Sequence, residues 1–186
     1  MLALNVKNIQ KMKTINRATI IFIVLFSCVS CDQVTKNIVK HNLPKFETIS
    51  FLNDTLRLQY AENQGAFLSL GATIPENIRC LVLTCSVAGF LIVLLAYLIK
   101  SKRNKASTTI ALSLILAGGT GNLIDRILNE GRVIDFINMG IGPVRTGVFN
   151  IADIAITIGT IWFIFITIRN GNKNELLRGK PRSSSF

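Results

Sequence analysis

At 186 residues the chain has room for one domain, and 49% of its residues are hydrophobic, which points to a membrane protein. The formal net charge of +11 would suit a nucleic-acid-binding protein, but the basic residues gather at the two chain ends and in one loop. This asymmetry follows the positive-inside pattern, so the charge indicates topology and argues against a nucleic-acid partner.

Four stretches approach the roughly 20 apolar residues that cross a bilayer as a helix. They lie at about residues 18–38, 78–99, 108–128 and 148–168. The predicted fold class is therefore mainly α and integral to the membrane, with a four-span domain over residues 18–168. The basic tails, residues 1–17 and 169–186, and the basic loop at 100–105 are expected in the cytoplasm. Both tails are expected to be disordered.

The first span has features of a bacterial lipoprotein signal sequence. A basic segment precedes the apolar run, and L-F-S-C ending at Cys28 resembles a lipoprotein cleavage box. A lipid anchor would be redundant beside three further spans, so an uncleaved first helix is expected. Near its outer end, Asp32 and Lys36 are four residues apart in D-Q-V-T-K and can form an ion pair on one helix face.

Two segments, about 39–77 and 129–147, connect the spans on the outer side. In the first, E-T-I-S-F-L and T-L-R-L-Q-Y-A flank the turn-prone pair Asn53-Asp54, which predicts a small β-hairpin or sheet at the membrane surface. The second contains four glycines and a proline, and we expect it to be irregular and mobile.

Small residues and cysteines inside the spans have a packing interpretation. Gly118-Gly119-Thr120-Gly121 could open a phosphate loop, but the required lysine does not follow. Small residues in a membrane helix usually permit close approach of a neighbouring helix. Cys28 and Cys31 form C-x-x-C, but a metal site would need further ligands at suitable spacing and the single histidine lies in a loop, so no metal site is expected.

Ionisable residues at the edges of the spans mark a possible site, because such groups are costly near lipid. Asn122, Asp125 and Arg126 end the third span, Asp135 follows, and Asn150 and Asp153 open the fourth. Two adjacent carboxylates share one proton and can activate water for attack on a peptide carbonyl. Spacing does not say which two carboxylates pair. Asp125 could be held ionised by Arg126, which weakly favours Asp135 and Asp153, and a purely structural polar network fits equally well.

Five motifs in order resemble the lipoprotein signal peptidases (signal peptidase II), over roughly residues 18–168. They are D-Q-V-T-K at 32–36, N-Q-G-A-F at 63–67, G-N-L-I-D-R at 121–126, V-I-D-F at 133–136 and F-N-I-A-D at 149–153. The resemblance implies a bacterial membrane aspartyl protease that cleaves prolipoproteins just before a diacylglyceryl-modified cysteine. It also implies a location in the cytoplasmic membrane, with the site near the outer face and no cofactor.

The resemblance assigns roles to the motif residues. Asp135 and Asp153 would be catalytic, and Asp32 and Lys36 would support the fold as a polar pair. The remaining motif residues would order the site and hold the substrate backbone; they are Asn63, Gly65, Asn122, Asp125, Arg126 and Asn150. The cyclic peptide globomycin would block the site, and nothing requires more than a monomer.

One motif departs from the family pattern. Members commonly read N-x-G-A-A-F-S, with a basic residue before the asparagine, whereas this chain has Glu62 before Asn63 and its aromatic, Phe67, one position earlier. The departure bears on substrate contact. Two other hypotheses are a Ser/Lys peptidase using Lys36 with a nearby serine, and a small transport or assembly protein whose polar residues line an ion path.

Overall fold

The computed structural model describes residues 2–65, 75–101 and 104–178. Within them, four helices are long and apolar enough to cross a membrane, at residues 17–42, 78–100, 106–128 and 151–171, which confirms the predicted four-span, mainly α class. The helices and strands, in chain order, are α1 Leu2–Asn42, β1 Thr48–Phe51, β2 Leu56–Asn63, α2 Glu76–Lys100, α3 Ala106–Leu128, β3 Val133–Ile141, β4 Val144–Arg145 and α4 Ile151–Arg178.

Helix α3 lies at the centre of the bundle, with α1, α2 and α4 around it. In α3, 50% of the membrane-spanning stretch is buried inside the protein, whereas the buried share in the other three helices is 11–17%. Its glycines permit this arrangement: Gly118 meets the backbone of Ala152, Gly119 meets Leu91, and Gly121 meets Asp32. Three different helices therefore approach one short stretch of α3, which confirms the packing interpretation of these small residues.

The strands form one antiparallel sheet in the order β1-β2-β3-β4 at the end of the bundle where α3 ends and α4 begins. The hairpin predicted in the first connecting segment is confirmed: β1 and β2 flank a turn in which Asn53 and Asp54 have positive φ. An extra residue in β2 between Leu58 and Ala61 shifts its pairing with β3. Such a bulge re-aims the strand, here just before Asn63.

The prediction of an irregular segment at 129–147 is wrong. The segment contains β3 and β4, and residues 133–136 of β3 are buried. The glycines that suggested irregularity lie at the ends of the strands: Gly131 has φ +86 after α3, and Gly142 has φ +55 in the β3–β4 turn. The run of β-branched and aromatic residues between them was the stronger signal.

The prediction of disordered tails is also wrong where the structure describes them. Helix α1 begins at Leu2 and α4 continues to Arg178. Neither stretch contains proline, and lysine, arginine and leucine are good helix formers, so nothing stops the helices at the ends of the apolar spans. Residues 179–186 lie outside the described residues.

Candidate active site

The start of α4 is built around a reciprocal pair of hydrogen bonds. The side-chain oxygen of Asn150 accepts from the backbone N–H of Asp153 at 2.9 Å, and Asp153 Oδ2 accepts from the backbone N–H of Asn150 at 3.1 Å. This is the capping-box arrangement, in which the residue before a helix and the third helical residue satisfy each other's free N–H groups. The local sequence F-N-I-A-D thus fixes the Asp153 carboxylate at a helix N-terminus.

Asp135 lies on β3 and is buried, with 2% of its surface exposed. Its two carboxylate oxygens accept hydrogen bonds from Asn150 Nδ2 at 2.6 Å and from Asn63 Nδ2 at 2.9 Å. Burial first, and then the charge of Asp153, raise the pKa of Asp135 to about 6 against the opposing hydrogen bonds from the two asparagines. Asp135 can therefore exchange a proton near neutral pH.

Neutral amides connect the two carboxyl groups. Asn150 contacts both, through its side chain to Asp135 and its backbone N–H to Asp153. Asn122 Nδ2 donates to Asp153 Oδ1 at 2.9 Å, and Asn122 Oδ1 accepts from Asn150 Nδ2 at 3.1 Å. The structure thus brings Asp135, Asp153 and both asparagines, from α3, β3 and α4, into one connected group.

A second polar group lies directly beside the first, around the buried ammonium of Lys36. Its Nζ lies 2.8 Å from Asp32 Oδ2, 2.9 Å from Asp125 Oδ2 and 3.0 Å from Asn122 Oδ1. The ion pair expected between Asp32 and Lys36 is present. Because an ammonium has three N–H donors, these contacts use all of them, which leaves no donor for a serine and disfavours the Ser/Lys hypothesis.

Both acids of this group also bind backbone N–H groups of the site. Asp32 Oδ1 accepts from the N–H of Ala152 in the first turn of α4 at 2.9 Å, and Asp125 Oδ2 accepts from the N–H of Ile134 at 3.0 Å. Asp125 and Arg126 form no ion pair among the described residues, because consecutive helical residues do not face each other, although their charges act on each other. The oxygens of Asp125 bind Lys36, Ile134 and Gln33 instead.

Arg126 is the one cation near the two carboxyl groups whose Nε is buried without a hydrogen-bond partner in the described part of the chain. The charges of Asp135 and Asp153 both act on it. Its Nη2 lies 3.6 Å from where a Cβ at Gly65 would be, and Gly65 has φ +75 with its N–H donated to Asn63 Oδ1 at 2.8 Å. Asn63, Gly65 and Arg126 thus line one side of the site.

The structure accounts for part of the departure in the Asn63 motif. Glu62 does not join the site: its carboxylate binds Lys45 Nζ and Arg132 Nη1, both at 3.0 Å, and Tyr60 Oη at 2.9 Å. These hydrogen bonds, the one from Lys45 first, lower the pKa of Glu62 to about 2. Phe67 lies outside the described residues.

Gln33 is a site residue that the sequence analysis missed. Its Nε2 donates to Asp125 Oδ1 at 3.0 Å and to the carbonyl of Gly121 at 3.2 Å, so it ties α1 to the end of α3. The available signal was a polar amide within a span, beside an ionisable pair.

Comparison with known proteins decides the family. A family model described as "Signal peptidase (SPase) II" matches residues 22–169. The chain belongs to the signal peptidase II family. It is 38% identical over 145 residues to a lipoprotein signal peptidase of Chlorobium phaeobacteroides (strain BS1), covering 71% of this chain and 87% of that protein. With the lipoprotein signal peptidase of Borrelia hermsii (strain HS1 / DAH) the identity is 33% over 172 residues, covering 90% and 98%.

A solved structure has a similar fold. A bacterial membrane enzyme determined at 1.9 Å resolution superposes with a TM-score of 0.67 at 31% identity, covering 79% of this chain and 91% of that one. As a signal peptidase II with four apolar helices, the chain is a multi-pass membrane protease. The hypothesis of a transport or assembly protein is therefore set aside.

Proposed function

We propose that this signal peptidase II cleaves prolipoproteins just before their diacylglyceryl-modified cysteine, with Asp135 and Asp153 as an aspartic pair. One observation carries the mechanism. A buried carboxyl whose pKa is raised to about 6 shares the hydrogen-bonding residue Asn150 with a second carboxylate that caps a helix. Two acids held this way, in different environments, can divide the roles of proton donor and proton acceptor.

The different hydrogen-bonding environments of the two acids support different catalytic roles for them. Asp153 receives hydrogen bonds from an N–H group and from Asn122 at a helix N-terminus, and these stabilise negative charge, so it acts as the base. Asp153 takes a proton from water as the water oxygen bonds to the scissile carbonyl carbon. Asp135, protonated, gives its proton to the carbonyl oxygen.

The second half of the reaction returns these protons. As the C–N bond breaks, the proton on Asp153 passes to the leaving nitrogen, and the hydroxyl proton returns to Asp135. The products are the carboxyl terminus of the signal peptide and the free amino group of the lipidated cysteine. Both carboxyl groups regain their starting protonation without a covalent intermediate.

The neighbouring residues position the substrate and the acids. Arg126, with its unsatisfied Nε, has donors for backbone carbonyls of an extended peptide. Gly65 packs against Leu83, because a Cβ there would lie 2.8 Å from the Leu83 side chain, and its positive φ belongs to the turn in which its N–H binds Asn63. Asn63 holds Asp135, and Asp32, Lys36 and Asp125 fix the strand and helix that carry the acids.

The proposed arrangement in the membrane follows from charge. The two ends of the chain and the 100–105 loop are basic, which supports cytoplasmic termini and an active site near the outer face of the bacterial membrane. The proposed oligomeric state is a monomer. Globomycin is expected to bind at the aspartic pair. The test is a fusion, after residue 178, of a reporter enzyme that works only in the cytoplasm. We expect this fusion to be active.

The test uses purified protein in detergent and a prolipoprotein peptide with or without the diacylglyceryl group on its cysteine. The expected result is a product beginning at the lipidated cysteine, no cleavage of the unlipidated peptide, and inhibition by globomycin. Glu130→Gln, which changes an exposed carboxylate, should cleave at the normal rate. Cleavage at another bond, or equal cleavage of both peptides, would refute the proposed substrate.

A further inference from the structure

The four-stranded sheet has one apolar and one polar face. Alternate residues of a strand point to the same face, and the strand register aligns the apolar ones in rows across the sheet. Ile49 pairs with Leu58, which pairs with Ile137; Phe51 pairs with Leu56, which pairs with Met139; and Ile141 pairs with Val144. In the outer row, Ile141 and Val144 are 80% and 78% exposed.

The opposite face carries its own polar network. Arg57 Nε donates to Asp54 Oδ1 at 2.6 Å, Ser50 Oγ donates to the same oxygen at 2.7 Å, and Arg145 Nε donates to Asn138 Oδ1 at 2.5 Å. Ser50, Asp54 and Arg57 are exposed or partly exposed, whereas Asn138 is buried beneath Arg145. The sheet is therefore amphipathic, and on its apolar side the described residues leave Met139 46% and Ile141 80% exposed.

The position of Asp135 gives the direction of the apolar face. Asp135, Ile137, Met139 and Ile141 alternate along β3 and so share one face, and Asp135 points to the end of the helix bundle, where Asn150 holds it. Exposure rises along this row from 2% at Asp135 to 46% at Met139 and 80% at Ile141. The face that meets the bundle at Asp135 thus continues past its edge, where the medium around four membrane-spanning helices is lipid.

We propose that the apolar face of the sheet lies in the leaflet at the active-site end of the bundle, with phospholipid at the boundary between headgroups and acyl chains as its partner. Amphipathic elements bind there with their apolar side buried by about 5–10 Å. Exposed apolar patches of this extent on one face mark an interaction surface. Contact of the sheet with lipid requires the four membrane-spanning helices, but it does not depend on the proposed cleavage reaction.

The test places a tryptophan on either face of the sheet. Trp162 is the only tryptophan in the chain, so Trp162→Phe provides a silent background. Ile49→Trp and Thr48→Trp are adjacent in sequence, exposed, and on opposite faces, and Ile141→Trp reports the outer row. Each is reconstituted in phosphatidylcholine vesicles with brominated acyl chains, and aqueous iodide is added in parallel. Unsubstituted Trp162, within a membrane span, gives the reference for a residue in lipid.

The expected result is a large loss of emission for Ile49→Trp and Ile141→Trp in brominated lipid, with little effect of iodide, and the reverse for Thr48→Trp. Equal iodide quenching of both faces would place the sheet in water and overturn the inference. Protection of the Ile49 reporter from both quenchers would mean that protein covers the face, which also overturns it. Fluorescence does not depend on turnover, so failure here and failure of the proposed cleavage are separate outcomes.

Discussion

Two polar groups lie side by side at one end of the bundle and differ in how their charges are balanced. Around Lys36, one ammonium contacts two carboxylates, and each of these also binds a backbone N–H. Around Asp135 and Asp153, the side-chain hydrogen bonds come from neutral asparagines, and Arg126, on which both charges act, keeps a buried Nε without a partner among the described residues. The charges of the first group are therefore balanced by an ion pair, whereas those of the second are held by neutral hydrogen-bond donors.

The comparison separates stability from chemistry. A buried ion pair with satisfied geometry holds the elements that contribute to it, here α1, α3, β3 and the start of α4. Two carboxyl groups kept near each other disfavour a second negative charge, and such arrangements occur where function needs a perturbed pKa. Asn122 connects the groups, because its oxygen binds Lys36 and its nitrogen binds Asp153. The stable group therefore orients a donor of the reactive one.

The largest effect on folding is expected for Lys36→Met. The substitution leaves Asp32 and Asp125 buried without their cation, which costs about 3–5 kcal/mol of unfolding free energy. Thermal unfolding in detergent measures it. The control is Lys40→Met, one turn further along α1, where the exposed ammonium bonds only Asn129, and its stability should be unchanged. Equal unfolding midpoints for the two variants would refute a stabilising role for the Lys36 group.

The pH dependence of cleavage should report Asp135. The group must carry a proton to act as the acid, and its pKa is about 6, so kcat/KM should fall about tenfold per pH unit above pH 6. Asn63→Ala removes a hydrogen bond that favours the charged form, so it should raise this pKa and move the decline to higher pH. A profile that is flat between pH 5 and 8 would contradict protonated Asp135 as the acid.

A smaller effect is expected from a methyl group at Gly121. Its Cβ would lie 2.6 Å from Asp32 Oδ2, so Gly121→Ala must displace an acid of the Lys36 group, at a cost of about 1–3 kcal/mol. Gly89→Ala is the matched control, because nothing lies within 4 Å of a Cβ there, and alanine favours a helix over glycine by up to about 1 kcal/mol. Unfolding midpoints that do not separate the two variants would argue against close packing at Gly121.

Much of the fold could be predicted from local patterns. The length of the apolar stretches indicates the four spans, and the two strand-like runs on either side of Asn53-Asp54 indicate the first hairpin. The second strand pair was missed because glycine content was weighted above the β-branched run at Val133–Ile137. The helical extensions were not predicted, because terminal segments without apolar periodicity are expected to be disordered.

The connections within the site could not be predicted, because they are long-range. Asp32 binds a backbone N–H 120 residues away, and Gln33 binds Asp125, 92 residues away. The positions of the ionisable residues relative to the predicted spans place them at one end of the bundle. These positions do not indicate which two acids pair. The resemblance nominated Asp135 and Asp153, and their different environments give that nomination a physical basis.

The most direct test of the account measures cleavage and unfolding on the same samples of Asp153→Asn and Asp135→Asn. Loss of an acid or base typically slows an enzyme by about 10²–10⁴-fold, so both variants should lose cleavage of the lipidated peptide to that extent. Their unfolding midpoints should not fall as that of Lys36→Met does. Cleavage by Asp153→Asn at the rate of the unsubstituted protein would contradict the assignment of the catalytic pair.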